Sequence, residues 1–300
     1  MDNQEQYTNV KRSYDLKAFI ASFLLAKEAE GVTKGTLRFY HYKLKLFTDY
    51  TNLPVEKIEP ADIRVFLNEL SKKHHSPGDI EGAYRALKTL FNHFAFEVEP
   101  KGWRNPFDKV KRPKVDEKSL EPISDKDIKA LLKVSGARDY FLILFLLDSG
   151  ARSFEALALL TKDVNIQTGE ILLRRTKGGK YRVVFITLTT RKAMKAYMKT
   201  RSDDCPYLFV TDEGRPLSYL GLRSIMFRRC KDAGISPPIK IHGFRRSFTL
   251  SLLESGASME HIRVLLGHSD YSTIQKYLRL TNKDIQLAHE RYSPVNRLKG

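Results

Sequence analysis

Arg152, Lys177, His242, Arg245, His268 and Tyr277 could act together on a single bond. A pair of guanidinium forks can grip the non-bridging oxygens of a phosphate and stabilise the charge that grows there in a transition state. A phenol becomes a nucleophile once a base accepts its proton. A departing alkoxide needs an acid, which a lysine or a histidine can supply. The set therefore suits the transfer of a phosphodiester from a sugar oxygen to a tyrosine. Taken singly, each residue has a plainer reading. Arg152 can pair with Glu155, His242 can cap a helix beside a surface Arg245, Lys177 can be an exposed turn residue, and Tyr277 can be half-buried packing. The combination, rather than any one residue, points to chemistry.

The sequence also indicates what must hold these groups. Tyr140 to Leu147 is apolar on all sides, which predicts a buried helix ending at Gly150, just before Arg152; another helix begins over Phe154 to Leu160. Residues 170–175 and 181–186 read as strands of a hairpin turning at Thr176-Lys177-Gly178-Gly179-Lys180, so Lys177 and Lys180 share one tip. His242-Gly243-Phe244-Arg245 opens a helix running on through Leu252 and Leu253. The i, i+3 spacing puts the imidazole and guanidinium on one face, near a helix N-terminus whose N–H groups favour an anion. Leu265-Leu266-Gly267-His268 ends a helix over 258–266, and Ser272-Thr273-Ile274-Gln275 has the form of a capping box opening the helix that bears Tyr277. Tyr271 and Tyr292 do not fit this spacing and read as packing or interface residues. Ser124 caps a short helix, and further helices are expected at 189–199, 218–233, 244–255, 272–279 and 282–291.

The region before residue 100 has a different character. Residues 1–13 are polar. Helical stripes then follow: Leu16, Phe19, Ile20, Phe23 and Leu24; Leu37, Tyr40, Leu44 and Phe47; Ile63, Phe66, Leu67 and Leu70 after Pro60; and Ile80, Tyr84, Leu87, Leu90, Phe91 and Phe94. No strand pattern interrupts them. This predicts a helical domain over 14–107. Residues 108–121, with Lys109, Lys111, Arg112, Lys114 and Lys118 among prolines, read as a basic linker. The mixed region, 122–300, forms the second domain.

Composition narrows the partners. The chain has 300 residues, 52 Lys and Arg against 35 Asp and Glu, and a formal net charge of +17. So basic a protein repels itself unless a polyanion relieves the field, and nucleic acid is the first candidate. A hydrophobic share of 42% excludes a wholly disordered chain. Cys205 and Cys230 are too few for a disulfide framework or a four-thiolate zinc site. Neither a signal peptide nor a membrane span is visible, and a soluble cytoplasmic protein is expected.

In order and spacing, Arg152-x-x-Glu155, the hairpin Lys177, His242-x-x-Arg245, Gly267-His268 and Tyr277 resemble the tyrosine recombinases of the phage-integrase and Xer type. The Gly31-Val32-Thr33 to Phe47 region resembles that family's core-binding domain, and the likeness covers about residues 14 to 292. It implies a mainly α fold with a small β-hairpin, in which a helical core-binding domain and a catalytic domain form a C-shaped clamp. Arg152 and Arg245 would hold the scissile phosphate, Lys177 would protonate the 5′ oxygen, and His268 would hydrogen-bond the phosphate. His242 would serve in acid–base transfer or orient the phosphate, Glu155 would brace the site, and Tyr277 would form a 3′-phosphotyrosine link. Ser247 stands where the family often has Thr.

The resemblance further implies a reaction without metal, cofactor or ATP. The partner would be double-stranded DNA with inverted-repeat core sites, bound by a homo-tetramer or a paired recombinase at the nucleoid. A C-terminal interaction tail would reach the neighbouring protomer. A type IB topoisomerase using a similar residue set, and a DNA-binding regulator without catalysis, are the alternatives.

Overall fold

The computed structural model describes residues 13–99, 101–115, 121–174, 181–267, 271 and 289–290. The chain divides into two compact units, Met1–Lys118 and Ser119–Gly300.

The first unit is helical throughout its described residues. Helices α1 (Leu16–Ala29), α2 (Lys34–Thr48), α3 (Pro60–Lys72) and α4 (Pro77–Val98) begin where the sequence supplies caps. Asp15 accepts the Ala18 N–H, Thr33 that of Thr36 and Ser76 that of Asp79, each pairing an N–H left without a partner by the first helical turn. Proline occupies the first turn of α3 and α4, where its missing N–H costs nothing. The predicted stripes meet in a core that includes Phe23, Leu44, Phe47, Phe66, Phe91 and Phe94.

The first residues of the stretch read as linker pack on this core. Phe107 and Val110 are buried in this helical core. The Tyr84 hydroxyl donates to the Val110 carbonyl at 3.1 Å, and Arg112 lies 2.6 Å from Glu81. Basic residues hid one apolar anchor, Val110, so the chain stays on the first unit at least to Arg112.

In the second unit, α5 (Asp125–Lys133) is capped by Ser124, and α6 (Ala137–Ser149) is the central helix. Phe141, Leu142, Ile143, Phe145 and Leu146 are all buried, as an apolar run without a polar face requires. Around it lie α7 (Ser153–Leu157), α8 (Leu188–Met198), α9 (Tyr219–Asp232), α10 (Ile241–Glu254) and α11 (Met259–Leu266). Strands β1 (Glu170–Leu173) and β2 (Arg182–Phe185) pair antiparallel, with Leu173 opposite Arg182. Helix α7 is shorter than the expected 154–160, because Leu160 instead bridges to Tyr207. The hairpin tip and the segments expected as helices at 272–279 and, apart from residues 289–290, at 282–291 lie outside the described residues.

Candidate active site

The geometry begins at the end of α6. Gly150 has left-handed backbone, φ 59°, and a Cβ there would fall 2.3 Å from a Phe248 ring carbon. Glycine is therefore demanded both by the turn and by the approach of α10. The turn delivers Arg152 to the start of α7, where the Arg152 N–H donates to Glu155 Oε2 at 2.6 Å and its Nη1 to Glu155 Oε1 at 3.1 Å. The local pairing with Glu155 is thus real, and it does not consume the residue: 21% of the Arg152 side chain remains exposed while that of Glu155 is fully buried.

Helix α10 starts at Ile241, so His242 lies in its first turn and Arg245 one turn on. Arg245 is buried, and its fork spans two helix ends. Nη1 donates to the Gly150 carbonyl at 2.7 Å and Nη2 to the Leu266 carbonyl at 2.7 Å. Both acceptors belong to helix C-termini, whose unpaired carbonyls carry partial negative charge and suit a cation. Ser247, further along α10, accepts the Ile123 N–H at 2.8 Å and so ties the segment before α5 to this helix. A serine hydroxyl in the position where the resembled family often has threonine performs that task.

His242 is solvent-exposed on one side and crowded by protein on the other. Its pKa lies below the ordinary imidazole value, first through loss of hydration, then through the positive charges of Arg245, Arg152 and Arg246. A neutral imidazole among guanidiniums is a proton acceptor in a field that attracts anions.

Arg182, on β2, belongs to the same cluster although no motif marked it. Its Nη2 lies 2.7 Å from Glu155 Oε2, and its Nη1 donates to the Leu265 carbonyl. A faint signal existed. Along β2, Arg182 is in phase with buried Val184 and Ile186, while Tyr181, Val183 and Phe185 face solvent. An arginine at an inward strand position must find a buried partner.

The structure thus brings Arg152, Glu155, His242 and Arg245 together. Lys177, Lys180, His268, Tyr277 and Tyr292 lie outside the described residues. Tyr271 is described, and its hydroxyl donates to Glu260 beside Arg263. That bond to a carboxylate raises the phenol pKa, the opposite of what activates a nucleophile.

Comparisons with known proteins decide the family. The Phage integrase family pattern matches residues 116–284, and the N-terminal SAM-like domain of phage integrases matches residues 19–97. Tyrosine recombinase XerA of Pyrococcus furiosus is 33% identical over 286 residues, spanning 94% of this chain and 96% of that relative. This chain belongs to the tyrosine recombinase family. Among further relatives, Tyrosine recombinase XerC of Leptospira interrogans is 29% identical, over 89% of this recombinase and 90% of its relative. The fold agrees. A Tn1549 transposon integrase structure in complex with a circular intermediate DNA has a TM-score of 0.80 at 18% identity, covering 93% of this recombinase and 100% of that chain. A lambda integrase dimer bound to a core site has a TM-score of 0.73 at 15% identity, covering 86% and 97%. The recombinase is accordingly a tyrosine-type site-specific recombinase, mainly helical with a small antiparallel sheet. Among the described residues, no helix is long and apolar enough to cross a membrane.

Proposed function

We propose that the recombinase cuts and rejoins duplex DNA by passing a phosphodiester to Tyr277. The observation that carries this reading is the convergence of two helix turns: Arg245 bonds to the Gly150 carbonyl beside Arg152, and His242 feels the charge of both arginines. The guanidiniums bind the non-bridging oxygens of the scissile phosphate and stabilise the pentacoordinate transition state. His242, neutral at rest, accepts a proton or orients the phosphate, and His268 adds a hydrogen bond. Tyr277 Oη forms the new P–O bond as the bond to the 5′ oxygen breaks. Its phenolic proton leaves to a base, and Lys177 gives a proton to the departing oxygen. The 3′-phosphotyrosine ester conserves the bond, so religation by a 5′ hydroxyl reverses each step without ATP.

The remaining assignments follow from that reaction. Residues 14–107 serve as the core-binding domain, 108–121 as the linker, whose first residues up to Arg112 pack back on that domain, and 122–300 as the catalytic domain. The excess of positive charge suits phosphate neutralisation along DNA. Several solved relatives are described as DNA complexes, among them the XerH recombinase on a palindromic substrate, which supports inverted-repeat core sites as the target. A homo-tetramer, or a pairing with a second recombinase, would join two such sites through the C-terminal tail. The place of work is the cytoplasm, at the nucleoid.

A nicked suicide substrate tests the proposal. The wild-type chain is expected to trap a covalent protein–DNA adduct, and Tyr277→Phe to bind DNA equally well and trap nothing. An adduct that persists in Tyr277→Phe but vanishes in Tyr271→Phe or Tyr292→Phe would overturn the nucleophile assignment.

A further inference from the structure

Arg182 holds together parts of the second unit that come from distant points of the chain. Its guanidinium joins the buried Glu155 carboxylate on α7 to the Leu265 carbonyl at the end of α11. Only 9% of its side chain is exposed. Glu155 is already shared, since its other oxygen accepts from Arg152. Arg182 also packs against Gly267, where a Cβ would fall 2.6 Å from Arg182 Cδ. That glycine ends α11 in left-handed backbone, φ 62°, and the next residue is His268.

Two arginines therefore cap one helix end, Arg182 on Leu265 and Arg245 on Leu266. Helix C-terminal carbonyls suit cations, but two buried guanidiniums repel each other and each must lose its hydration. Desolvation pulls the Arg182 pKa down, Glu155 opposes it, and Arg152 adds to the fall. Such an arrangement is costly unless fixed geometry is its purpose. A planar fork can satisfy a carboxylate and a carbonyl in two directions at once, which a lysine ammonium on a flexible stem does poorly.

We infer that Arg182 is a positioning residue for phosphoryl transfer, locking Glu155, and through it Arg152, to the end of α11 that precedes His268. The inference rests on the function proposed above. Arg182 does not touch the phosphate; it fixes the direction from which Arg152 does. Misplacing a catalytic group by about 1 Å can slow a reaction ~10²-fold without weakening substrate binding.

Arg182→Lys tests this, with Arg229→Lys as the control. Arg229 pairs with another buried carboxylate of the same unit, Asp139, at 2.9 Å, and has no place in the site. Single-turnover cleavage of a suicide substrate is measured at saturating DNA, below the melting temperature of every variant. Arg182→Lys is expected to bind a half-site like wild type and to cleave about 10²-fold more slowly, while Arg229→Lys cleaves at the wild-type rate. The loss should persist on a 5′-bridging phosphorothioate substrate, whose leaving group needs no acid, because Arg182 acts through Arg152. Should the lysine variant fail to fold, Arg182→Gln carries the same comparison. Cleavage within a few-fold of wild type, an equal loss in Arg229→Lys, or full rescue by the phosphorothioate would each overturn the inference. A wild-type chain that forms no adduct would overturn the proposed function and this inference together; a wild-type adduct beside a fast Arg182→Lys overturns the inference alone.

Discussion

Arg245 Nη1 donates to the Gly150 carbonyl oxygen at 2.7 Å, which joins the helix bearing the second arginine of the proposed clamp to the turn bearing the first. The same guanidinium reaches Leu266 on α11. Helix ends from α6, α10 and α11 thus meet at one buried side chain. Their relative placement, rather than any single residue, builds the proposed phosphate site.

Glu155 is the counterion of this cluster, and its removal should be felt twice. Its side chain is fully buried between Arg152 and Arg182. Glu155→Gln leaves two guanidiniums facing a neutral amide. Breaking a buried charge pair from one side typically costs about 3–5 kcal/mol, so urea denaturation should show a loss of that order. Cleavage of a suicide substrate should fall as well, by roughly 10²-fold at saturating DNA, because Arg152 loses its orientation. A variant with wild-type stability and rate would mean that the carboxylate is idle.

His242 gives a pH dependence whose sign is fixed. Its folded-state pKa is depressed by burial and by Arg245, Arg152 and Arg246, so the folded chain binds fewer protons there than the unfolded chain. No penalty exists well above the unfolded value of about 6.5. As pH falls through that value the unfolded state gains a proton first, and stability drops until the folded pKa is also passed. His242→Asn should remove this part of the slope in denaturation curves measured through the acid range. DNA should act in the opposite direction, since a phosphate beside the ring offsets the guanidiniums. The His242 imidazole resonance, followed by NMR, should titrate higher in the half-site complex than in the free chain. An unchanged midpoint would place the phosphate elsewhere.

Much of this was legible in the sequence because the relevant signals are local. The apolar stripes of α1 to α4 and the all-apolar α6 fixed the buried faces, and the i, i+3 spacing of His242 and Arg245 gave their shared face. Ser124 and Pro60 marked helix starts. Arg182 escaped because its partners, Glu155 and the Leu265 carbonyl, are far away in the chain, and a carbonyl at a helix end carries no residue type to recognise. Val110 escaped because lysines surround it, so composition suggested solvent where one valine is buried. The link from Arg245 to Gly150 was equally invisible, since a glycine named only as a helix stop turned out also to supply the acceptor.

Gly150 should tolerate no side chain. Its φ of 59° strains any residue with a Cβ, and that Cβ would overlap Phe248, which packs against α11. The left-handed conformation costs about 1–2 kcal/mol, and forced overpacking typically adds about 1–3. Gly150→Ala should therefore lose roughly 2–5 kcal/mol in urea denaturation. Phe248→Leu should relieve part of the clash. If Gly150→Ala is destabilised equally with and without that second change, backbone strain alone is responsible, and the close approach of α10 contributes nothing.

The leaving group separates the remaining roles. Expulsion of an alkoxide requires a proton, whereas a 5′-bridging phosphorothioate leaves as a thiolate and does not. Lys177 and Lys180 both fall in the sequence between β1 and β2, and their spacing does not choose between them. Lys177→Ala should cleave ordinary DNA very slowly and recover on the sulfur-substituted substrate, because only proton transfer was lost. Lys180→Ala should remain close to wild type on both. Arg152→Ala should stay slow on both, since its proposed task is to stabilise the phosphorane whatever leaves. Recovery of Lys180→Ala in place of Lys177→Ala would move the acid three residues along the sequence while leaving the arginine clamp intact. Recovery of Arg152→Ala would be more damaging, because it would assign proton delivery to the clamp and leave the transition-state charge without its principal stabiliser.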